Sequence, residues 1–189
     1  LAEIRGIEPT GRPEAELWFD DRPELPFLVK ILAVASPLSL QVHPDAEAAQ
    51  VGFAAEEAAG LPSDDPRRSF RDNRPKPELA CALSPFEALC GFRPVEEALE
   101  VMADLDLPSG LGAELVAQDS AGWPAVVRDA LAGSSVGVAD ELVRTCRAVD
   151  EGPWSDTAAL VARLADLYPG DPALLLVPLL GHFRLEPGD

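Results

Sequence analysis

The chain has 189 residues, 47% of them hydrophobic, which is enough apolar side chain for a core and excludes wholesale disorder. Fifteen Lys and Arg against 33 Asp and Glu leave a net charge of −18, which repels nucleic acid and anionic lipid. The longest strongly apolar stretch, 173–180, contains Pro178 and falls short of the ~20 residues of a membrane helix, and no basic-then-apolar leader opens the chain.

A cytoplasmic protein of one extended domain or two small ones is therefore expected, with no nucleic-acid or membrane partner. Three cysteines, Cys81, Cys90 and Cys146, are odd in number and lack C-x-x-C spacing, so they read as buried small hydrophobes. Thirteen arginines accompany only two lysines, Lys30 and Lys76, and two histidines, His43 and His182. An ammonium can shift its pKa and transfer a proton where guanidinium cannot, so both lysines are candidates for chemistry.

Residues 25–43 read as extended. Phe27, Leu28, Val29, Ile31 and Leu32 form an apolar run interrupted by Lys30, and Ser36-Pro37 breaks it. Leu38 to His43 then alternates apolar and polar, the period of a strand with one face in a core. Asp45 to Gly60 reads as a helix closed by Gly60 and Pro62, followed by a loop over 63–77 and a short strand over 78–83. Ser84-Pro85-Phe86-Glu87 carries a helix-start signal, with Ser at the cap and Glu placed for a capping box, so helix is expected from there. Helical spacing follows in Val95, Leu99, Met102 and Leu105, in Val138, Leu142, Cys146 and Val149, and in Leu160, Val161, Leu164 and Leu167. Breaks near 108–112, 133 and 152–153 separate these into a small helical bundle.

Gln41 and His43 lie two apart on the expected strand, so their side chains share a face and can grip one ion. A strand histidine is more often an ordinary hydrogen-bonded residue, and the pair alone leaves both readings open. Glu78 adds a carboxylate, with Lys76 on the same face if that segment is extended. Imidazole, amide oxygen and carboxylate suit a borderline divalent ion such as zinc, and a surface Lys–Glu pair is the alternative. Arg67, Arg68, Arg71, Arg74 and Lys76 form one cationic cluster, which either steers a small anion such as phosphate or is a solvated loop.

Four blocks, in order, resemble type I phosphomannose isomerase: Gly11-Arg12-Pro13-Glu14-Ala15-Glu16-Leu17-Trp18, Leu38-Ser39-Leu40-Gln41-Val42-His43-Pro44, Lys76-Pro77-Glu78-Leu79, and Ser84-Pro85-Phe86-Glu87-Ala88-Leu89-Cys90-Gly91-Phe92-Arg93-Pro94. The resemblance implies an α+β fold, a cupin-type β jelly-roll portion with an inserted α-helical domain. The cupin-like catalytic portion is expected over 1–92, the helical domain over 93–178, and a return into the cupin portion over 179–189. It implies an enzyme that interconverts mannose 6-phosphate and fructose 6-phosphate with one zinc ion per chain; the sequence leaves the oligomeric state open, with a monomer favoured. Matched by motif, Gln41, His43 and Glu78 are metal ligands, Lys76 is catalytic, and Lys30, Glu16 and Trp18 bind the sugar phosphate.

Departures from the pattern are specific. Arg74-Pro75 stands where the family commonly has Asn-His before Lys-Pro-Glu, and a short G-x-H-P-type segment is missing after Trp18. The family's fourth zinc ligand and a catalytic arginine are expected beyond Asp189, so the 189 residues alone are expected to hold zinc weakly and to be inactive. Alternation puts His182 opposite Phe183 and Leu185, and toward solvent if those two face the core. A non-catalytic cupin-like sugar-phosphate binding or regulatory protein is the alternative. A purely helical interaction module over 94–180 leaves the Gln41, His43 and Glu78 set unexplained.

Overall fold

The computed structural model describes residues 1–9, 11, 14–19, 26–107, 113–132 and 136–189, and the chain divides into two units, Leu1–Gln41 and Val42–Asp189. In the first unit, α1 (Ala2–Arg5) is a single turn tied to the chain that follows by an Arg5–Glu14 ion pair at 3.3 Å. Two β-favouring tetrapeptides, Glu16–Phe19 (β1) and Val29–Leu32 (β2), then pair antiparallel. The register sets Glu16 opposite Leu32, Leu17 opposite Ile31, Trp18 opposite Lys30 and Phe19 opposite Val29. Strand alternation therefore puts Glu16, Trp18, Lys30 and Leu32 on one face of the hairpin.

The expected strand at Leu38 to His43 does not form a ladder among the described residues. A period-2 pattern says which residues share a face, but a strand also needs a neighbour for its N–H and C=O groups. Here the apolar positions face no core: Val42 is 93% exposed, and Leu38 and Leu40 are exposed as well. The expected strand over 78–83 is likewise irregular, with Leu79 92% exposed. Ala82 alone is buried there, exchanging backbone hydrogen bonds with Gly188 and Asp189.

In the second unit, α2 (Ala46–Ala58) starts where the sequence asks. Asp45 caps it, its carboxylate accepting from the Ala48 N–H at 2.8 Å. It stops at Gly60, whose φ of 69° lets the N–H groups of Gly60 and Leu61 reach back to the carbonyls of Glu57 and Glu56.

The expected helix start at Ser84 is overturned. Phe86–Phe92 is a strand, β3, paired antiparallel with Leu180–Leu185, β4. A capping signature is local, whereas this seven-residue segment gains a non-local ladder, which wins. The ladder shifts register between Leu89 and Phe92, where Gly91 at φ 67° forms the irregularity.

Between these strands lie α3 (Val95–Asp104), α4 (Ala113–Gln118), α5 (Trp123–Ala130), α6 (Val136–Arg147) and α7 (Ser155–Leu167), with a 3-10 segment at Pro172–Leu179. The expected helical periodicity holds in α3, α6 and α7, and the break at 152–153 is present. The breaks at 108–112 and 133 lie outside the described residues. Val101, Leu105, Leu115, Val126, Leu142, Val161, Leu175 and Leu179 are fully buried. At ~1.5–3 kcal/mol per large apolar side chain, this cluster is the main source of stability in the unit. Phe92 stacks on Trp123 with ring centroids 4.1 Å apart, fastening β3 to the helices. No helix among the described residues is long and apolar enough to cross a membrane.

Candidate functional site

The hairpin of the first unit assembles three of the expected residues. Lys30 stands opposite Trp18, with Nζ 5.4 Å from the indole ring centroid and 3.4 Å from a Glu16 carboxylate oxygen. Aromatic face, ammonium and carboxylate thus share one half-exposed patch. Gln41 is the last residue of this unit and is exposed.

The second unit brings together His43 and Glu78. His43 Nε2 lies 3.4 Å from Glu78 Oε2, although α2 and a long loop separate them in sequence. Two ligands bound at about 2.0–2.2 Å to one tetrahedral ion lie about 3.4 Å apart, so this spacing fits a shared zinc as donor chemistry and as distance. Among the described residues no group of three or more His, Cys, Asp or Glu is arranged to hold a metal. Among the described residues, a third protein donor beside this pair would be of another type, such as an amide oxygen.

Lys76 lies two residues before Glu78 and is half-exposed, its Nζ 3.7 Å from Asp72 Oδ2. The Asp72 carboxyl is held below the usual carboxylate range, chiefly by the Arg74 backbone N–H donated to it at 2.9 Å and further by the Lys76 charge.

The cationic cluster is not a free phosphate cradle. Arg68 is buried and spends its donors on the Leu61 carbonyl, the Phe70 carbonyl and Glu57. Arg67 pairs with Asp65 at 2.7 Å and Lys76 with Asp72, so three of the five cations have carboxylate partners. Asp65 and Asp72 of the loop and Glu57 of α2 thus offset part of the charge of the run.

Two further expectations fail. Cys81 and Cys90 are exposed; only Cys146 is buried, and burial pushes its thiol up to about 11. The His182 side chain is only 9% exposed, with Nε2 2.8 Å from Glu87 Oε1, because the β3–β4 register turns it toward the helices rather than solvent. Glu87 is the residue that the sequence placed in a capping box. Its carboxylate takes Arg163 of α7 and His182 of β4, with Arg184 at 3.9 Å, and Arg163 first and His182 next hold it below its usual range. No local signal marks it, since every partner is distant in sequence.

Comparison with known proteins extends this picture. The family model for the catalytic domain of type I phosphomannose isomerase matches residues 8–95, which include every expected site residue. The chain is 29% identical over 231 aligned residues to the mannose-6-phosphate isomerase of Escherichia coli strain K12, covering all of this chain and 58% of that protein. It is 30% identical to the Salmonella typhimurium mannose-6-phosphate isomerase over 88% of this chain and 42% of that protein. Among solved structures, a zinc-bound mannose 6-phosphate isomerase superimposes with a TM-score of 0.82 at 27% identity, over 99% of this chain and 57% of that one. The Salmonella typhimurium enzyme bound to its substrate and zinc gives 0.79 at 27% identity, over 99% of this chain and 57% of that one. The chain therefore spans a little over half the length of such relatives, and it shares their mixed helix and sheet fold.

Proposed function

Residues 8–95 of this chain match the family model for the catalytic domain of type I phosphomannose isomerase, and on that premise we propose that the protein is a member of that family and interconverts mannose 6-phosphate and fructose 6-phosphate with one zinc ion per chain. The observation that carries this reading is the 3.4 Å approach of His43 Nε2 to Glu78 Oε2 inside the family-matched residues.

Gln41, His43 and Glu78 would hold the metal through an amide oxygen, an imidazole nitrogen and a carboxylate oxygen, a donor set that suits zinc. When bound, the ion supplies electrophilic polarisation of the sugar's carbonyl and hydroxyl oxygens. The difficult step is removal of the weakly acidic C–H beside the carbonyl, which leads through an enediol. Lys76 stands two residues from a ligand and holds or passes a proton at a sugar oxygen. Lys30 and Glu16 offer an ammonium and a carboxylate to the charged and hydroxyl groups of the substrate, and Trp18 offers an apolar face to its ring carbons.

The same reading gives 1–92 and 179–189 to a cupin-type jelly-roll portion and 93–178 to an inserted helical domain. It makes the protein a cytoplasmic enzyme whose partner is a small sugar phosphate, with a monomer favoured. The test is isomerisation of mannose 6-phosphate by the full-length protein, before and after a chelator. Turnover lost with the chelator and regained with zinc is the expected result. Sugar-phosphate binding without turnover at any zinc level would replace this reading with that of a non-catalytic binding protein.

A further inference from the structure

His43 and Glu78 meet only because residues 44–77 leave and return along a fixed path. His43 leads within two residues into the Asp45 cap of α2, so its end of the path is held by a helix. The return is held by Arg68. Its side chain is 1% exposed, and a guanidinium that deep must have its donors satisfied. Nη1 donates to the Leu61 carbonyl at 2.6 Å, Nε donates to the Phe70 carbonyl at 2.9 Å, Nη2 pairs with Glu57, and the group lies 4.9 Å from the Phe53 ring. Arg68 therefore bridges α2, through Phe53 and Glu57, to the returning chain, through Leu61 and Phe70.

Two more contacts close the same seam. Glu56 of α2 accepts the N–H groups of Ser69 and Phe70, each at 2.9 Å. The Phe70 ring lies on Gly52, where any Cβ would overlap it. From Phe70 only a short lead remains to Lys76 and Glu78.

We propose that Arg68 is a positioning residue for the His43 and Glu78 metal donors, acting by riveting the returning chain to α2 so that the two donors are brought together before the ion arrives. This rests on the reading of that pair as metal ligands. Freed from α2, the chain ahead of Glu78 samples many positions, and the ordering cost then falls on metal binding. Arg68 itself touches neither metal nor substrate.

The test measures zinc affinity of the full-length protein by competition with a chromophoric chelator, for wild type, Arg68→Gln and Gly52→Val. Gly52→Val leaves Arg68 in place and unseats Phe70, so it carries the test if Arg68→Gln does not fold. Both variants are expected to bind zinc at least ~10-fold more weakly, the range seen when support behind a metal ligand is lost. In the zinc-free protein, the Ser69 and Phe70 amides are expected to exchange faster than in wild type. At saturating zinc, kcat is expected to return to within ~2-fold of wild type, which general misfolding would not allow. Fast exchange at Ser69 and Phe70 with wild-type zinc affinity would overturn the proposal and leave the metal reading intact. A kcat that stays low at saturating zinc would also overturn it. Wild type that takes up no zinc would overturn the metal reading itself, and this proposal with it.

Discussion

Lys30 and Trp18 are cross-strand partners in the β1–β2 hairpin, with the ammonium 5.4 Å from the indole ring centroid. The same ammonium lies 3.4 Å from Glu16, so its position is held by an aromatic face on one side and a carboxylate on the other. Lys30→Met is expected to raise KM for mannose 6-phosphate roughly 10-fold or more, the cost of one charge-assisted hydrogen bond to substrate. Steady-state kinetics check this, and an unchanged kcat/KM would remove Lys30 from the binding surface.

His43→Ala is expected to abolish stoichiometric zinc in the full-length protein, since Glu78 would lose the donor 3.4 Å away. Elemental analysis after dialysis reads the outcome directly. Wild-type zinc content in the variant would mean the ion sits elsewhere.

Lys76→Met is expected to lower kcat at least ~10²-fold while leaving the fold intact. Its half-exposed ion pair with Asp72 at 3.7 Å contributes little to stability, so the melting temperature should hardly move. Near-normal turnover would reduce Lys76 to a surface residue.

Glu87→Gln tests the charge cluster between β3, β4 and α7. Because Arg163 first, then His182, depress the Glu87 carboxyl in the folded chain, its contribution is present above the unfolded carboxylate value and is lost as pH falls through the lower folded value. The variant is therefore expected to melt about 2–4 °C below wild type near neutral pH, a figure already reduced for the partial exposure of the group. The gap should close as the pH drops below about 4.5. A gap that is constant from neutral to acid pH would show that the ionised form of Glu87 is not what matters.

Thiol labelling of the native protein is expected to modify Cys81 and Cys90 quickly and Cys146 only on unfolding. The first two are exposed, whereas burial raises the Cys146 thiol to about 11 and shields it. Three fast thiols would contradict the packing of α6.

Sequence reasoning succeeded where local chemistry decides. Asp45 and Gly60 bound α2 within a residue or two of the expected limits, because capping and left-handed backbone are properties of a few neighbouring residues. It failed where a distant partner decides. Phe86–Phe92 is a strand because Leu180–Leu185 pairs with it, and Glu87 and His182 meet only through that ladder. Arg68 looked like one more surface cation in a basic run, since nothing in the run shows that Glu56, Glu57 and two carbonyls enclose it. Of the candidate site, the pairings of Lys30 with Trp18 and Glu16, and of His43 with Glu78, are explicit in the structure; the sequence pattern gives no strand register from which the first could be read, and it leaves a surface Lys–Glu pair as an alternative for Glu78.

The β3–β4 ladder joins Phe92 to Leu180 across the whole helical stretch 93–179. On the ribosome, β3 is therefore complete while its partner is still untranslated. At ~5–20 residues per second the wait is on the order of 10 s. During it, the apolar side chains of Phe86 and Phe92 and the bare edge of β3 are open to other nascent chains. The helices that are made in the interval can cover Leu89 but supply no ladder hydrogen bonds, so the emergence of Leu180–Leu185 decides whether this edge of β3 is paired or left open to aggregation. Slow translation through 93–179 would lengthen that exposure, and a trigger-factor type of holdase would shorten its consequences.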